Sequence, residues 1–300
     1  MVPKIAINSG AYVAGPFAKN PLALDDLAKQ AGECGYQGIE IAPHPAHGHP
    51  DSYPTKRSRA ALVKRMADCG LEICGYGADM SARPPAVSEV GDYLKEFKKY
   101  LAVCEALGAK TLRVDTALPP PLPPGVGYDE AWHRVVAAWR GAAKAAQPGG
   151  VTIVWEFEPG FMFNKPSEAV KMVEDVGQPN SKVMFDTCHA QMCAVQGARQ
   201  AEPIETLKGG VVELAHMLKG RIGRVHLIDS DNTLHDNETS THAPFGTGVL
   251  DFDEIVPAIL DAEYNPEWWC VDLCFSPEAL TLLKASRDFV ADLLARHITA

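Results

Sequence analysis

The chain has no cysteine pair at CxxC spacing, no glycine-rich phosphate turn and no surplus of basic charge, and each absence removes a class of protein. The eight cysteines, at positions 34, 69, 74, 104, 188, 193, 270 and 274, are scattered, several inside apolar runs such as LEICGYGA and WWCVDLCF. They read as reduced, buried thiols acting as small hydrophobes, not as a disulfide framework. No apolar run reaches the roughly 18–20 residues that span a bilayer, so no membrane partner is expected. The opening MVPKIAINSGAYV has neither the long apolar core nor the small-residue cleavage site of a secretory leader, so a cytoplasmic protein is expected. A formal net charge of −10 argues against nucleic acid as a partner, because tracking phosphates needs a basic surface.

What is present is a repeated alternation. Short runs of strand character occur at 4–10, 38–43, 72–78, 111–117, 151–159, 182–190, 224–231 and 268–275. Between them lie longer stretches of helical spacing, at 22–35, 58–70, 90–109, 129–146, 166–177, 204–220, 252–264 and 277–297. Eight strand–helix units predict a parallel sheet with helical crossovers, and eight is the count that closes a (β/α)8 TIM barrel. Gly35, Gly70 and Gly108 each end a helix just before a strand, as left-handed cap residues do. No Gly/Ser-rich linker divides the chain, so residues 1–300 are expected to form one domain. The proline-rich LPPPLPPGVGYDE (118–130) follows strand 4 and is expected to be an extended rim on the catalytic face. The rival fold, a doubly wound open sheet, would carry a GxGxxG or GxxxxGKS/T turn after an early strand, and none is found there.

In such a barrel, polar residues at the C-terminal strand ends converge on the active site. Side chains in a strand switch faces at every residue. In VTIVWEFE, Trp155 and Phe157 then face the helices while Glu156 and Glu158 face the axis. The same alternation turns Asp186, His226 and Asp272 inward on strands 6, 7 and 8. Inward-facing carboxylates need a cation or a metal to compensate them. Oxygen-rich donors with one imidazole suit Mn²⁺ first, with Mg²⁺ or Co²⁺ as alternatives. The bland reading of the same set is a buried polar network with Arg113, Arg221 or Arg224 as counter-charges. Glu40, at the end of strand 2, reads as pocket-lining or structural. His44, His47 and His49 lie in the strand-2 loop HPAHGHPD and read as solvated. His235 and His242, in the loop after strand 7, are placed to close over a ligand. Trp155, Trp268 and Trp269 read as packing residues.

The segments WEFEPG, MFDTCHA, VHLIDSD, FGTGVLDFDEIVPAIL and VDLCFSPEAL resemble those of the xylose-isomerase-like TIM-barrel superfamily of sugar phosphate isomerases and epimerases. The second half of the chain carries the resemblance closely and the first half only in pattern. The resemblance implies one metal held by Glu156, Asp186, His226 and Asp272, with Glu158 as the alternative ligand on strand 5. It also implies that His189, in the D-x-x-H pattern, contacts substrate oxygen. One position departs from the family: Asp272 stands where the epimerases have Glu. An Asp still binds metal but reaches less far toward a carbon-bound proton, so one principal base, Glu156 or Glu158, is easier to support than two.

The expected function is a metal-dependent isomerase or epimerase of a sugar- or cyclitol-like carbonyl substrate, working through an enediolate. Glu156, Glu158 and His189 are its candidate catalytic groups, and His189, Glu40, Arg113 and His242 its candidate substrate contacts. The same enolate chemistry admits a lyase, by dehydration or C-glycoside cleavage. A metal-free barrel subunit of a heteromeric complex and a metal-dependent phosphoester hydrolase are the readings from other classes. The partner is expected to be the small-molecule substrate, and a homo-oligomer is compatible with this composition.

Overall fold

Eight parallel strands close on themselves in the order β1-β10-β7-β6-β5-β4-β3-β2. They are β1 (Lys4–Asn8), β2 (Gly38–Ile41), β3 (Glu72–Gly77), β4 (Thr111–Val114), β5 (Thr152–Glu156), β6 (Ser181–Asp186), β7 (Ile222–Leu227) and β10 (Trp268–Val271). The computed structural model describes residues 3–264 and 267–298. Parallel pairing of Lys4 with Trp268 through Ile7 with Val271 joins the first strand to the last and completes the (β/α)8 barrel. Six of the eight strands fall inside the runs read from the sequence, while β6 begins one residue before its run, at Ser181, and β7 two residues before its run, at Ile222.

The crossovers are carried by α1 (Leu24–Glu33), α2 (Lys56–Asp68), α3 (Val90–Leu107), α4 (Tyr128–Ala146), α5 (Pro166–Val176), α6 (Thr187–Ala194), α7 (Gly210–Met217), α8 (Phe252–Asp261) and α9 (Ala279–His297). Each helix that covers the barrel buries one apolar stripe against the outward strand residues. Trp139 of α4 packs its ring 5.3 Å from that of Trp155 on β5, an aromatic pair worth roughly 0.5–1.5 kcal/mol beyond its buried area. Trp269 is likewise fully buried. Gly108 ends α3 in the left-handed region, at φ 77°, and its N–H closes on carbonyls of the last turn. All eight cysteines are free. Among the described residues no helix is long and apolar enough to cross a membrane.

Three segments differ from expectation, each for a local reason. The run 182–190 stops being strand at Asp186, whose carboxylate accepts the His189 N–H at 2.8 Å and so starts α6 as an N-cap. The run 224–231 ends as barrel strand at Leu227. Beyond it the chain forms an antiparallel hairpin, β8 (Asp229–His235) with β9 (Thr239–Ala243). Its turn has Asp236 at φ 52° and Asn237 at φ 58°, as a tight type I′ connection requires. The helix read over 204–220 covers only Gly210–Met217, because the Gly209–Gly210 pair, with Gly210 at φ 56°, interrupts it.

Candidate metal centre and active-site mouth

The C-terminal strand ends open into a cavity of about 490 Å³ whose wall includes Glu156, Glu158, His189, His226, His242 and Asp272. At its floor, ligand atoms of Glu156, Asp186, His226 and Asp272 all lie within 4.8 Å of one another. Parallel pairing sets Asp186 directly beside His226. His226 Nδ1 stands 3.4 Å from Glu156 Oε1 and 3.2 Å from Asp272 Oδ2. The grouping includes Glu156 and not Glu158, which lies two residues farther out, beyond the end of β5.

Each carboxylate has at least one oxygen tied to protein. Glu156 Oε2 accepts from Arg113 Nε at 2.6 Å, and Arg113 also pairs with Asp115. Asp186 Oδ1 caps α6, while its Oδ2 is buried without a hydrogen-bond partner. Asp272 Oδ1 accepts the Cys274 N–H at 2.9 Å, and its Oδ2 accepts from Asn8 Nδ2 at 3.0 Å. Neither ring nitrogen of His226 makes a hydrogen bond of good geometry.

Burial alone would raise the carboxyls of Glu156 and Asp272. The Arg113 guanidinium overturns that effect at Glu156, and His226 overturns it at Asp272, so both are held below the usual carboxylate range. At His226 burial favours the neutral ring, but Glu40 and Asp272 outweigh it and push the imidazole well up. Ionised carboxylates in near-complete burial are costly without a positive partner. The orphaned Asp186 Oδ2 and His226 Nδ1 are donors of the type a hard or borderline divalent ion takes. The residues therefore fit such an ion.

Around this floor the structure places the remaining candidates. Glu158 and His189 form a couple on the rim, with His189 Nε2 3.8 Å from Glu158 Oε2. Thr239 Oγ1 donates to the same Glu158 oxygen, and His189 Nδ1 lies 2.9 Å from Ser240 Oγ. Burial lowers the His189 imidazole, but Asp186, Glu158 and Glu156 outweigh it and raise it. His242, on β9, packs its ring 5.1 Å from that of His189 and approaches Asp186 and Asp272 at 4.0 and 3.9 Å. Asp186, His189 and His242 make a second grouping of ligand type.

Glu40 faces the axis from behind His226, with Oε1 3.3 Å from His226 Nε2 and Oε2 2.9 Å from Arg224 Nε. Of the counter-charges foreseen for the polar set, Arg113 meets it at Glu156, Arg224 pairs with Glu40, and Arg221 pairs with Glu174 away from the axis. His44 and His49 line the mouth. His47 departs from the solvated reading: it is fully buried, with Nε2 2.9 Å from the Leu22 carbonyl, and burial lowers it to about 4. His235 stacks on Phe275 at 4.7 Å, which ties the hairpin to the loop after β10.

The sequence reading missed Asn8, Thr239 and Ser240, which hold Asp272, Glu158 and His189. Thr239 and Ser240 sit on a hairpin whose strands are polar on both faces, so no apolar alternation marks them. The one available signal was the Asp236-Asn237 pair, a turn-type dipeptide. Asp229, the first residue of β8, is structural. It accepts N–H groups from Ser230, Gly246, Gly248 and Leu250, and a Cβ on Gly248 would fall 2.3 Å from its Oδ1.

A family model described as a xylose isomerase-like TIM barrel matches residues 28–293. The chain is 22% identical to 2-oxo-tetronate isomerase of Pectobacterium atrosepticum, over 88% of this chain and 93% of that one. It is 23% identical to hydroxypyruvate isomerase of Escherichia coli, over 80% and 85%. It is also 23% identical to inosose dehydratase of Bacillus thuringiensis, over 79% and 78%. Its fold is shared with L-ribulose 3-epimerase, at TM-score 0.70 and 20% identity over 98% and 95% of the chains. It is shared too with a zinc-bound IolI protein, at TM-score 0.73 and 18% identity over 99% and 100%.

Proposed function

Because the chain belongs to the xylose isomerase-like TIM barrel family, we propose that it is a divalent-metal-dependent isomerase or epimerase of a small polyhydroxylated carbonyl substrate, sugar- or cyclitol-like. The observation that carries this reading is the convergence of Glu156, Asp186, His226 and Asp272 at the floor of a substrate-sized cavity, with a separate carboxylate–imidazole couple on its rim. Those four residues would hold the ion, with Mn²⁺ the first choice for this donor set. When bound, it supplies Lewis-acid polarisation of the carbonyl and electrostatic stabilisation of the enediolate charge.

The chain's own residues then divide the remaining work. Glu156 is committed by the Arg113 guanidinium to its ionised form, which suits a ligand better than a base. Glu158 takes the proton from the carbon beside the carbonyl, its carboxylate aimed by the Thr239 hydroxyl. His189, held through Nδ1 by Ser240, presents Nε2 to the substrate oxygen and to Glu158. Return of the proton from Glu158 to the neighbouring carbon, with the hydroxyl proton passed by way of His189 to the former carbonyl oxygen, completes an isomerisation and leaves the couple as it began. Arg113, Glu40 and His242 act on this reaction through the ligands they touch. The hairpin β8–β9 and the Phe275 loop close the mouth at one side and exclude water.

One observation favours a second outcome, elimination of a β-hydroxyl as in the inosose dehydratase relative. Both oxygens of Asp272 are engaged, by Asn8 and by the Cys274 N–H, so no free base faces Glu158 from strand β10. A one-base site serves proton abstraction followed by loss of a leaving group as well as proton return.

The test is solvent deuterium incorporation, followed by NMR in D₂O, across hydroxypyruvate, 2-oxotetronates, 2-ketopentoses and inososes. Metal-dependent exchange beside the carbonyl of at least one substrate, abolished in Glu158→Gln, is the expected result. Exchange that persists undiminished in Glu158→Gln would sink the assignment of the base.

A further inference from the structure

The geometry points to Glu40 and Arg224 as positioning residues that set the ring of His226 and thereby the affinity of the metal centre. The inference rests on the reading of that centre, and it gives Glu40 a role other than substrate contact. Glu40 lies on β2 and His226 on β7, strands that do not pair, so the contact is made across the barrel axis. With Oε1 of Glu40 3.3 Å from Nε2, the opposite nitrogen, Nδ1, is the one that faces Glu156 and Asp272. A carboxylate at ion-pair distance behind a ligating imidazole raises its donor strength, and fixes its tautomer when the two draw into a hydrogen bond. Arg224, itself 2% exposed, holds the other Glu40 oxygen at 2.9 Å and is anchored by the Cys74 thiol.

Three features of the backbone bear on this chain of contacts. The β2–β3 register shifts between Ile39 and Glu40, so Glu40 pairs with Gly75 and not with Cys74. The β6–β7 register shifts between Val183 and Met184, so that Met184 pairs with Arg224. Such bulges re-aim a side chain. Gly75 is not in the left-handed region, so its backbone does not call for glycine. A Cβ there would stand 2.6 Å from Glu40 Oε2 and 3.0 Å from Thr111 Oγ1. A side chain at 75 would therefore make the Glu40 carboxylate shift.

The experiment uses the full chain, loaded with Co²⁺ as the probe. Affinity is read by titration calorimetry, ligand geometry by the visible absorption of the bound ion, and folding by thermal unfolding of the metal-free protein. Glu40→Gln removes the charge, and Gly75→Ala displaces the carboxylate without removing it. The double variant Glu40→Gln/Arg224→Met removes both buried charges and so avoids an unpaired guanidinium. Each is expected to weaken Co²⁺ by about 10- to 100-fold and to alter the absorption band. The double variant is expected to unfold near the wild-type temperature while its affinity stays low. Wild-type affinity in Gly75→Ala and Glu40→Gln, or recovery of affinity in the double variant, overturns the inference and leaves the pair a structural one. Should Glu40→Gln fail to fold, the other two variants decide. Absence of Co²⁺ binding by the wild type is a different result, which overturns the metal centre itself.

Discussion

Asp186 offers a substitution in which metal binding and folding separate cleanly. Its two oxygens stand differently: Oδ1 caps α6 at 2.8 Å from the His189 N–H, Oδ2 is buried and unpaired, and the residue offers one oxygen to the ligand cluster. Asp186→Asn keeps the volume but leaves one oxygen for both duties. Asn caps a helix as well as Asp does, so the helix start is retained. The cluster loses a negative charge. At an effective dielectric of about 20, unit charges about 4 Å apart interact by about 4 kcal/mol, or about 10³ in affinity. Titration calorimetry with Mn²⁺ should show a loss of at least that order. At an ion concentration 100-fold above the wild-type Kd, the wild type gains about 2.7 kcal/mol of stability, and the variant less than about 0.1 kcal/mol. The metal-free variant should be no less stable than the wild type, because one buried charge has gone. Binding within about tenfold of wild type would refute the reasoning.

Further outcomes follow from the same geometry. Thr239→Val should slow substrate deuterium exchange by about 10-fold or more with metal affinity unchanged, since the hydroxyl aims Glu158 but touches no ligand; equal rates would remove Thr239 from the mechanism. Asp229→Ala removes the acceptor of four N–H groups at a fully buried site and should cost about 3 kcal/mol or more in urea unfolding, with activity lost only through unfolding. His47 is neutral in the fold down to about 4, against 6.5 in the unfolded chain, so the unfolded state binds the extra proton first. Stability should fall as pH drops from 6.5 toward 4, by about 3 kcal/mol in all from this residue, and His47→Gln should flatten that slope. An unchanged slope would show that His47 takes no part in it.

The barrel was legible because its strands alternate Trp155, Phe185, Val225 and Val271 outward with Glu156, Asp186, His226 and Asp272 inward, a period-two signal that local residues carry alone. The cluster was legible for the same reason, since four strand ends at one level must meet at the axis. What was hidden depends on partners distant in sequence. Nothing near Glu40 says that it meets Arg224 and His226 across the axis, and nothing near Gly75 says that a carboxylate fills the space where its Cβ would be. The hairpin was hidden because Ser230, Thr233, Ser240 and Thr241 are polar on both faces, so strand and loop look alike. The start of α6 straight after Asp186 was hidden because an N-cap is defined by where its oxygen points, not by the run that precedes it. His47 shows the converse error: a Pro/Gly setting suggested solvent, but the chain folds back and buries the ring against Leu22.

The most direct measurement is anomalous diffraction from crystals of the wild-type protein soaked in Mn²⁺. The expected result is a single anomalous peak within coordination distance of Glu156, Asp186, His226 and Asp272. A peak seated instead among Asp186, His189 and His242, or among Glu40, His226 and Cys270, would contradict the assignment, as would a mouth that takes up no ion at all.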